Sequence, residues 1–296
     1  MILIAGGTGL LGTQVVRLLT ALGLQVRVLT RDPSRAQQLA SEQVAVVAGD
    51  VRDRGAVDRA VAGSRVVISA IQGFSGTGDA TPRTVDLGGN GILIRAARKA
   101  GVEHFILVSV HGAAPDHPME LFRMKYLAEQ ELKASGLPWT IVRPTAYMET
   151  WAKLIGEPLL QTGKTRIFGR GTNPINFVSA HDVAQFVACA AQEANMRGEQ
   201  VEVGGPENLS MRQVAQTLMR VTKVSGTVRT VPLPMMRLMA VLMGPVNATL
   251  ARQIQAGVTM DTADMTFDAA DVRRRYPSIP YTSLAEVVQR DYGNKA

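Results

Sequence analysis

The chain has 296 residues, 46% hydrophobic and 19% charged, with a formal net charge of +7 and a single cysteine. That length buries a large core, alone or with a smaller companion, and a lone Cys189 excludes an intramolecular disulfide framework and suits a reducing compartment. The basic residues are scattered without a dense run or aromatic platforms, which argues against nucleic acid as a partner.

Residues 1–5 read as a strand buried on both faces, with no basic segment or cleavage pattern before it, so a cytoplasmic protein is expected. Residues 10–22 carry apolar side chains at helical spacing, and Gly23 follows as a left-handed cap. Strands are predicted at 25–30, 44–48 and 65–70, then a helix at 84–100 ended by Gly101. A strand at 104–109, a helix at 121–135 ended by Gly136 and a strand at 139–143 complete the series. Strands rich in Val, Ile and Leu that alternate with helices predict an α/β fold, a doubly wound parallel sheet of the Rossmann type.

After Pro144 the pattern loosens into short strands at 165–168 and 199–203 and helices at 180–193, 210–222 and 283–290. Ser179 and Asp182 are spaced as a capping box. Cys189 lies in an apolar stretch and reads as a buried structural thiol. We therefore expect a Rossmann domain over 1–150 and a smaller mixed α/β lobe over 151–296, which binds substrate and is interleaved with the sheet.

The turn after the first strand is Gly6-Gly7-Thr8-Gly9-Leu10-Leu11-Gly12. Glycines at 6, 9 and 12 let the chain turn sharply, approach a pyrophosphate and pack the helix on the strand. The helix N-terminus then offers its amides to the anion, with Thr8, Leu10 and Leu11 alongside. At the end of the second strand a carboxylate would select a free ribose diol, but here Thr30 is followed by Arg31, with Arg35 one turn on. Those guanidinium groups suit a 2′-phosphate, so the expected cofactor is NADP(H). Asp32 stands just before Pro33 and reads as the start of the next helix. Asp50 and Val51 follow the third strand, where Asp50 reads either as an adenine contact or as a turn residue. Ala70, Ile71 and Gln72 should pass beneath the cofactor.

These motifs, with Lys125-Tyr126-Leu127-Ala128-Glu129, the run from Ser135 to Pro144 and Gly204-Gly205-Pro206, resemble NmrA-like, atypical short-chain dehydrogenase/reductases over roughly the first 210 residues. The resemblance implies a cofactor contact at Pro144, a ribose contact at Lys125 and an orienting serine at Ser109. It also implies a tyrosine four residues before the lysine, which in standard members passes the proton. Leu121 stands there, and Tyr126 lies on another helix face. His111 and Tyr147 are the alternative proton donors, although each also reads as an ordinary loop or packing residue. Lys125 reads otherwise as a solvated helix lysine. His104, His111, His117 and His181 have no metal-ligand spacing, so no metal is expected.

Residues 235–243 concentrate methionines, which suits a pliable lid, a helix buried in the lobe, a subunit interface or a peripheral membrane contact. The wider apolar run over 231–246, interrupted by Arg237 and prolines, is too short to span a bilayer. The expectation is an NADPH-dependent reductase of a small apolar carbonyl, enone or quinone. The alternatives are a non-catalytic NADP(H) sensor or assembly factor with a protein partner or homodimer contact, and an enzyme like divinyl chlorophyllide reductase.

Overall fold

The computed structural model describes residues 1–293. In chain order the elements are β1 (Ile2–Ala5), α1 (Leu10–Ala21), β2 (Val26–Thr30), a 3-10 turn (Pro33–Leu39), β3 (Val44–Ala48), α2 (Arg54–Val61) and β4 (Val66–Ser69). A π-helical segment (Pro82–Gly89) leads into α3 (Asn90–Lys99), followed by β5 (His104–Val108), α4 (Glu120–Lys133), β6 (Trp139–Pro144) and β7 (Ala146–Tyr147). Then come α5 (Met148–Thr162), β8 (Lys164–Phe168), β9 (Ile175–Val178), α6 (Ala180–Gln192), β10 (Gln200–Val203), β11 (Glu207–Leu209) and α7 (Met211–Thr222). The last are β12 (Thr227–Val231), α8 (Leu233–Met243), α9 (Ala248–Thr262), α10 (Ala270–Arg275) and α11 (Leu284–Tyr292).

The chain divides into two compact units, one of Met1–Pro144 with Val183–Glu202 and one of Thr145–Asp182 with the residues from Val203 onward. The last three residues of the lobe expected over 151–296 lie outside the described residues.

The first unit carries a seven-stranded parallel sheet in the order β3-β2-β1-β4-β5-β6-β10. Every residue of β1, β4 and β5 is buried, as the unbroken Val, Ile and Leu runs require when helices cover both faces. Its core includes Leu3, Val67, Leu93, Phe105, Leu107, Leu132 and Ile141. β1 pairs with β2 on one side and β4 on the other, so the strand order reverses there. In open parallel sheets that switch point opens a ligand crevice at the carboxyl ends of the strands.

The expected single helix over 84–100 is instead π-helical to Gly89 and α-helical beyond it. Apolar periodicity does not register the wider winding, because buried polar side chains accompany it. Asn90 donates to Asp86 O at 2.6 Å and accepts from the Ser69 hydroxyl at 2.6 Å. Thr81 caps this segment with Thr84.

The second unit holds the three-stranded sheet β11-β9-β7 and the parallel pair β12-β8. Ile155, Leu159, Phe177, Leu218, Val287 and Val288 form its main core. A smaller cluster joins Met236 of α8 to Ile254 and Val258 of α9. The reading of α8 as a buried helix is corrected here, since Met236 is its one buried residue. No helix among the described residues is long and apolar enough to cross a membrane.

The capping-box reading of Ser179 and Asp182 holds in part: the Ser179 hydroxyl accepts from His181 N–H at 3.2 Å at the start of α6, but Asp182 does not close the box. The buried Asp182 carboxylate accepts from the Thr282 amide and hydroxyl, both at 2.7 Å. Burial pushes its pKa up against those two hydrogen bonds. Glu149 serves the start of α6 beside Ser179, accepting from Ala180 N–H and the Ser179 hydroxyl at 2.9 Å each. Local spacing could not show this, because the partners lie about thirty and a hundred residues away. Cys189 is half-buried in α6, and burial pushes its thiol up, which fits a structural role.

Candidate dinucleotide site

The glycine turn after β1 is as tight as its sequence implies. Gly6 has φ +85°, and a Cβ there would lie 2.6 Å from Ala70 O. At Gly12 a Cβ would lie 2.2 Å from Gly6 O, so neither position admits a side chain. Gly9 is the N-cap of α1 and no side chain caps it. Thr13 N–H to Gly9 O is the first helical bond there, which leaves the amides of residues 10–12 without intrahelical acceptors. An uncapped helix N-terminus behind a tight glycine turn fits a pyrophosphate. Leu11 is buried, whereas Leu10 is exposed.

At the end of β2 the Thr30 hydroxyl is buried, 3.2 Å from the Thr8 hydroxyl. Arg35 reaches back to Thr8 O at 3.2 Å. Arg31 is exposed, and its charge helps to hold the Asp50 carboxyl low without a hydrogen bond between them. Asp32 caps the following 3-10 turn through Ser34 N–H, as expected. Asp50 forms a turn with Arg52, accepting from its amide at 2.9 Å and from its side chain at 2.9 and 2.7 Å. Those Arg52 hydrogen bonds, opposed by burial, hold the Asp50 carboxyl below its usual range. Arg52 also pairs with Asp79 at 2.8 Å. The sequence reading missed Arg52, although a carboxylate two residues before an arginine in a turn is a signal for such a pair. Val51 lies against Gly89, where a Cβ would come within 2.9 Å of it.

Ala70 N–H donates to Ala5 O at 2.9 Å, which joins the segment after β4 to the end of β1. Gln72 is exposed and accepts from Phe74 N–H at 2.8 Å. Ile71 is buried, and its carbonyl accepts from Lys125 Nζ at 2.8 Å. Lys125 is not a solvated lysine. Its side chain is 6% exposed, and Nζ donates to Val108 O at 3.0 Å and pairs with Asp86 at 3.0 Å. Two of its N–H bonds are thus taken by the carbonyl of Ile71, past β4, and that of Val108 at the end of β5, while the Asp86 oxygen that faces it is an ion-pair partner buried without a hydrogen bond. Burial pushes Asp86 up, while Lys125 and the Gly73 amide pull it down. The Gly73 amide is 2.7 Å from its other oxygen.

Ser109 follows β5, and its buried hydroxyl donates to Glu129. Glu129 is wholly buried and receives Arg143 bidentately at 2.9 and 2.5 Å. Arg143 continues to Glu202 at 3.1 Å, and Glu202 holds His111 Nδ1 at 2.8 Å. The His111 amide donates to Pro144 O at 2.8 Å. One polar network thus connects Ser109, Glu129, Arg143, Glu202 and His111, and His111 at its end is one-third exposed. Burial works to raise Glu202, but the His111 and Arg143 contacts outweigh it and hold the carboxyl low. The sequence reading missed Glu129 and Glu202. Arg143 inside an apolar strand was the available signal, since a buried guanidinium requires a counter-charge.

Tyr147 belongs to the second unit. Burial and the Glu149 charge push its phenol up, the opposite of what an acid–base tyrosine needs. His104 is buried against the Thr140 hydroxyl at 2.8 Å, and burial lowers its pKa to about 4. His117 stacks on Phe122. No cluster able to hold a metal exists among the described residues.

Fold, turn and donor set together define a dinucleotide-binding Rossmann protein. Residues 6–194 match the NAD(P)H-binding family. An NAD(P)H azoreductase of Xenophilus azovorans is 31% identical over 74% of this chain and 72% of its own length. The (4-alkanoyl-5-oxo-2,5-dihydrofuran-3-yl)methyl phosphate reductase of Streptomyces griseus is 33% identical over 75% of this chain and 73% of its own. The crystal structure of an NADPH-dependent quinone oxidoreductase from Escherichia coli shares the fold with a TM-score of 0.77 at 24% identity, covering 98% of this chain and 99% of that one. The chain belongs to the NAD(P)H-binding proteins of the NmrA-like, atypical short-chain dehydrogenase/reductase family.

Proposed function

We propose that the chain is an NADPH-dependent reductase of small, mostly apolar conjugated acceptors such as enones, quinones and related carbonyl compounds. The observation that carries the cofactor preference is the end of β2. Thr30 occupies the place of a diol-binding carboxylate, and Arg31 is exposed, its charge acting on the nearby Asp50 carboxyl without a hydrogen bond to it. The 10–12 amides bind the pyrophosphate, and Arg31 and Arg35 bind the 2′-phosphate. When bound, the reduced nicotinamide supplies a hydride.

Lys125 is a positioning residue on this reading: it ties the Ile71 carbonyl, and with it the segment under the cofactor, to the end of β5. His111, held by Glu202, delivers the proton. Two relatives above 30% identity are a reductase of azo compounds and a reductase whose named substrate bears a dihydrofuranone ring. Reduction of such acceptors yields anions basic enough to be protonated by His111 or by water, which makes the missing tyrosine tolerable.

The test is calorimetric titration with NADPH and NADH, repeated on Arg31→Ala. A lost charge-assisted contact should weaken NADPH binding about 10- to 150-fold and leave NADH unchanged. Equal affinity of the unaltered chain for both nucleotides would overturn the role of Arg31. NADPH oxidation is then followed with a panel of quinones, enones and azo dyes by the loss of reduced-nicotinamide absorbance. Tight binding without turnover across the panel would favour the second reading, an NADP(H) sensor, which Leu121 in the tyrosine position supports.

A further inference from the structure

The helix α8 is apolar on the side it turns away from the unit as well as on the side it buries. Met236 faces α9, with Leu233, Ala240 and Met243 packed around it. On the other side Leu238 is 59% exposed, Val241 74% and Leu242 62%, and Val246 just beyond the helix is 79% exposed. A helix apolar all round calls for cover on both sides, and contiguous exposed apolar surface marks an interaction site.

Charge identifies the cover. Between Asn208 and Met260 the chain has six cations (Arg212, Arg220, Lys223, Arg229, Arg237 and Arg252) and no carboxylate. Arg220, Lys223, Arg229 and Arg237 are exposed. A second copy of this chain would bring the same cations against themselves, which disfavours a symmetric contact. A zwitterionic or neutral partner leaves the cations unmatched. We infer that α8, with its basic flanks, docks on the surface of an anionic lipid bilayer. The helix lies in the interface plane, with Leu238, Val241 and Leu242 among the acyl chains and the cations at the headgroups. At 11 residues it rests on a membrane and does not span one.

The experiment is flotation of the full chain with phosphatidylcholine vesicles and with vesicles containing phosphatidylglycerol, at low and high salt. We expect flotation with the anionic vesicles alone, weakened by salt. Leu238→Glu/Leu242→Glu should abolish it, with an unchanged circular dichroism spectrum because both side chains are exposed. Arg229→Gln and Arg237→Gln leave the apolar face intact, and each should weaken partition about fivefold. No flotation with anionic vesicles overturns the inference, as does equal flotation with both lipids. A dimer in light scattering that Leu238→Glu/Leu242→Glu disperses, without flotation, assigns the face to a second copy and overturns it too. The outcome is independent of the cofactor titration, so either result can fail alone.

Discussion

Lys125→Met separates a lysine that contacts the cofactor from one that holds the sheet together. The substitution keeps most of the side-chain volume but removes donors to Ile71 O and Val108 O and the partner of Asp86. Asp86 has no solvent exposure and retains the Gly73 amide as its hydrogen-bond donor. Removing one partner of a buried ion pair costs about 3–5 kcal/mol. For a unit of this size that lowers the unfolding midpoint by roughly 6–20 °C. The pH dependence carries a definite sign. Burial already raises Asp86 above its unfolded value, and without Lys125 it rises further. A carboxyl raised in the folded state contributes stability that is full below its unfolded pKa and is lost as pH rises through the folded pKa. The deficit of Lys125→Met against the unaltered chain should therefore be largest at neutral pH and shrink on acidification. Urea unfolding at pH 7.5 and pH 5, followed by circular dichroism, measures it. Lys125→Met/Asp86→Asn should recover part of the loss, because it removes the stranded charge. A Lys125→Met variant of unchanged stability at pH 7.5, with only its NADPH affinity reduced, would refute this argument and return the lysine to the ribose.

The remaining outcomes concern the turn, the network and a buried histidine. Gly12→Ala places a Cβ 2.2 Å from Gly6 O; backbone must move, so stability should fall by about 1–3 kcal/mol and NADPH affinity should fall with it in the same titration. Glu202→Gln removes a carboxylate held low by His111 and Arg143. A depressed carboxyl contributes stability above its unfolded pKa of about 4.3 that is lost as pH falls, so the variant's unfolding midpoint should depend less on pH below that value. On the proposed proton path, kcat in the same variant should fall about 10²-fold or more with KM little changed. His104 falls from 6.5 to about 4 on burial. Its contribution is present above pH 6.5 and lost toward pH 4, up to about 3 kcal/mol. His104→Gln should flatten urea-unfolding stability across that window, and an unchanged slope would remove His104 from the account.

The first unit was legible because each of its instructions is local. Continuous Val, Ile and Leu runs, glycines after helices and a glycine turn between strand and helix are all settled within a few residues. The strand boundaries at β3 and β5 and the cap at Asp32 follow from neighbours in sequence. What sequence missed was set by partners far along the chain. The π-helical winding at Asp86 answers to Ser69, Asn90 and Lys125. Asp182 answers to Thr282. Glu129 and Glu202 are ordinary in a helix and a strand until Arg143 is found between them. In the second unit α5, β9, β12 and α9 were not assigned from sequence; α5 does bury Met148, Ala152, Ile155 and Leu159 at helical spacing, but Gly156 and Pro158 interrupt its sequence with residues that read as helix breakers.

The missing tyrosine and the engaged lysine are one change seen at two positions. In the standard pair the lysine lowers the tyrosine's pKa, which requires an ammonium with free donors facing the ribose. Here the ammonium donates to the Ile71 and Val108 carbonyls and its charge faces Asp86, which weakens its pull on a tyrosine at position 121. The serine is engaged as well. Its proton goes to Glu129, so it cannot donate to a substrate oxygen without breaking a buried bond. Two of the three groups of the standard site thus belong to the buried frame. The same frame extends through Arg143 and Glu202 to His111, which remains partly exposed. On the proposed reading the proton donor has moved to the solvent end of the network that absorbed the old one. Lys125→Met should then disturb stability before chemistry, and Glu202→Gln chemistry before stability at neutral pH. If both variants lost only cofactor affinity, Lys125 would still be touching the ribose and the network would have no part in proton transfer.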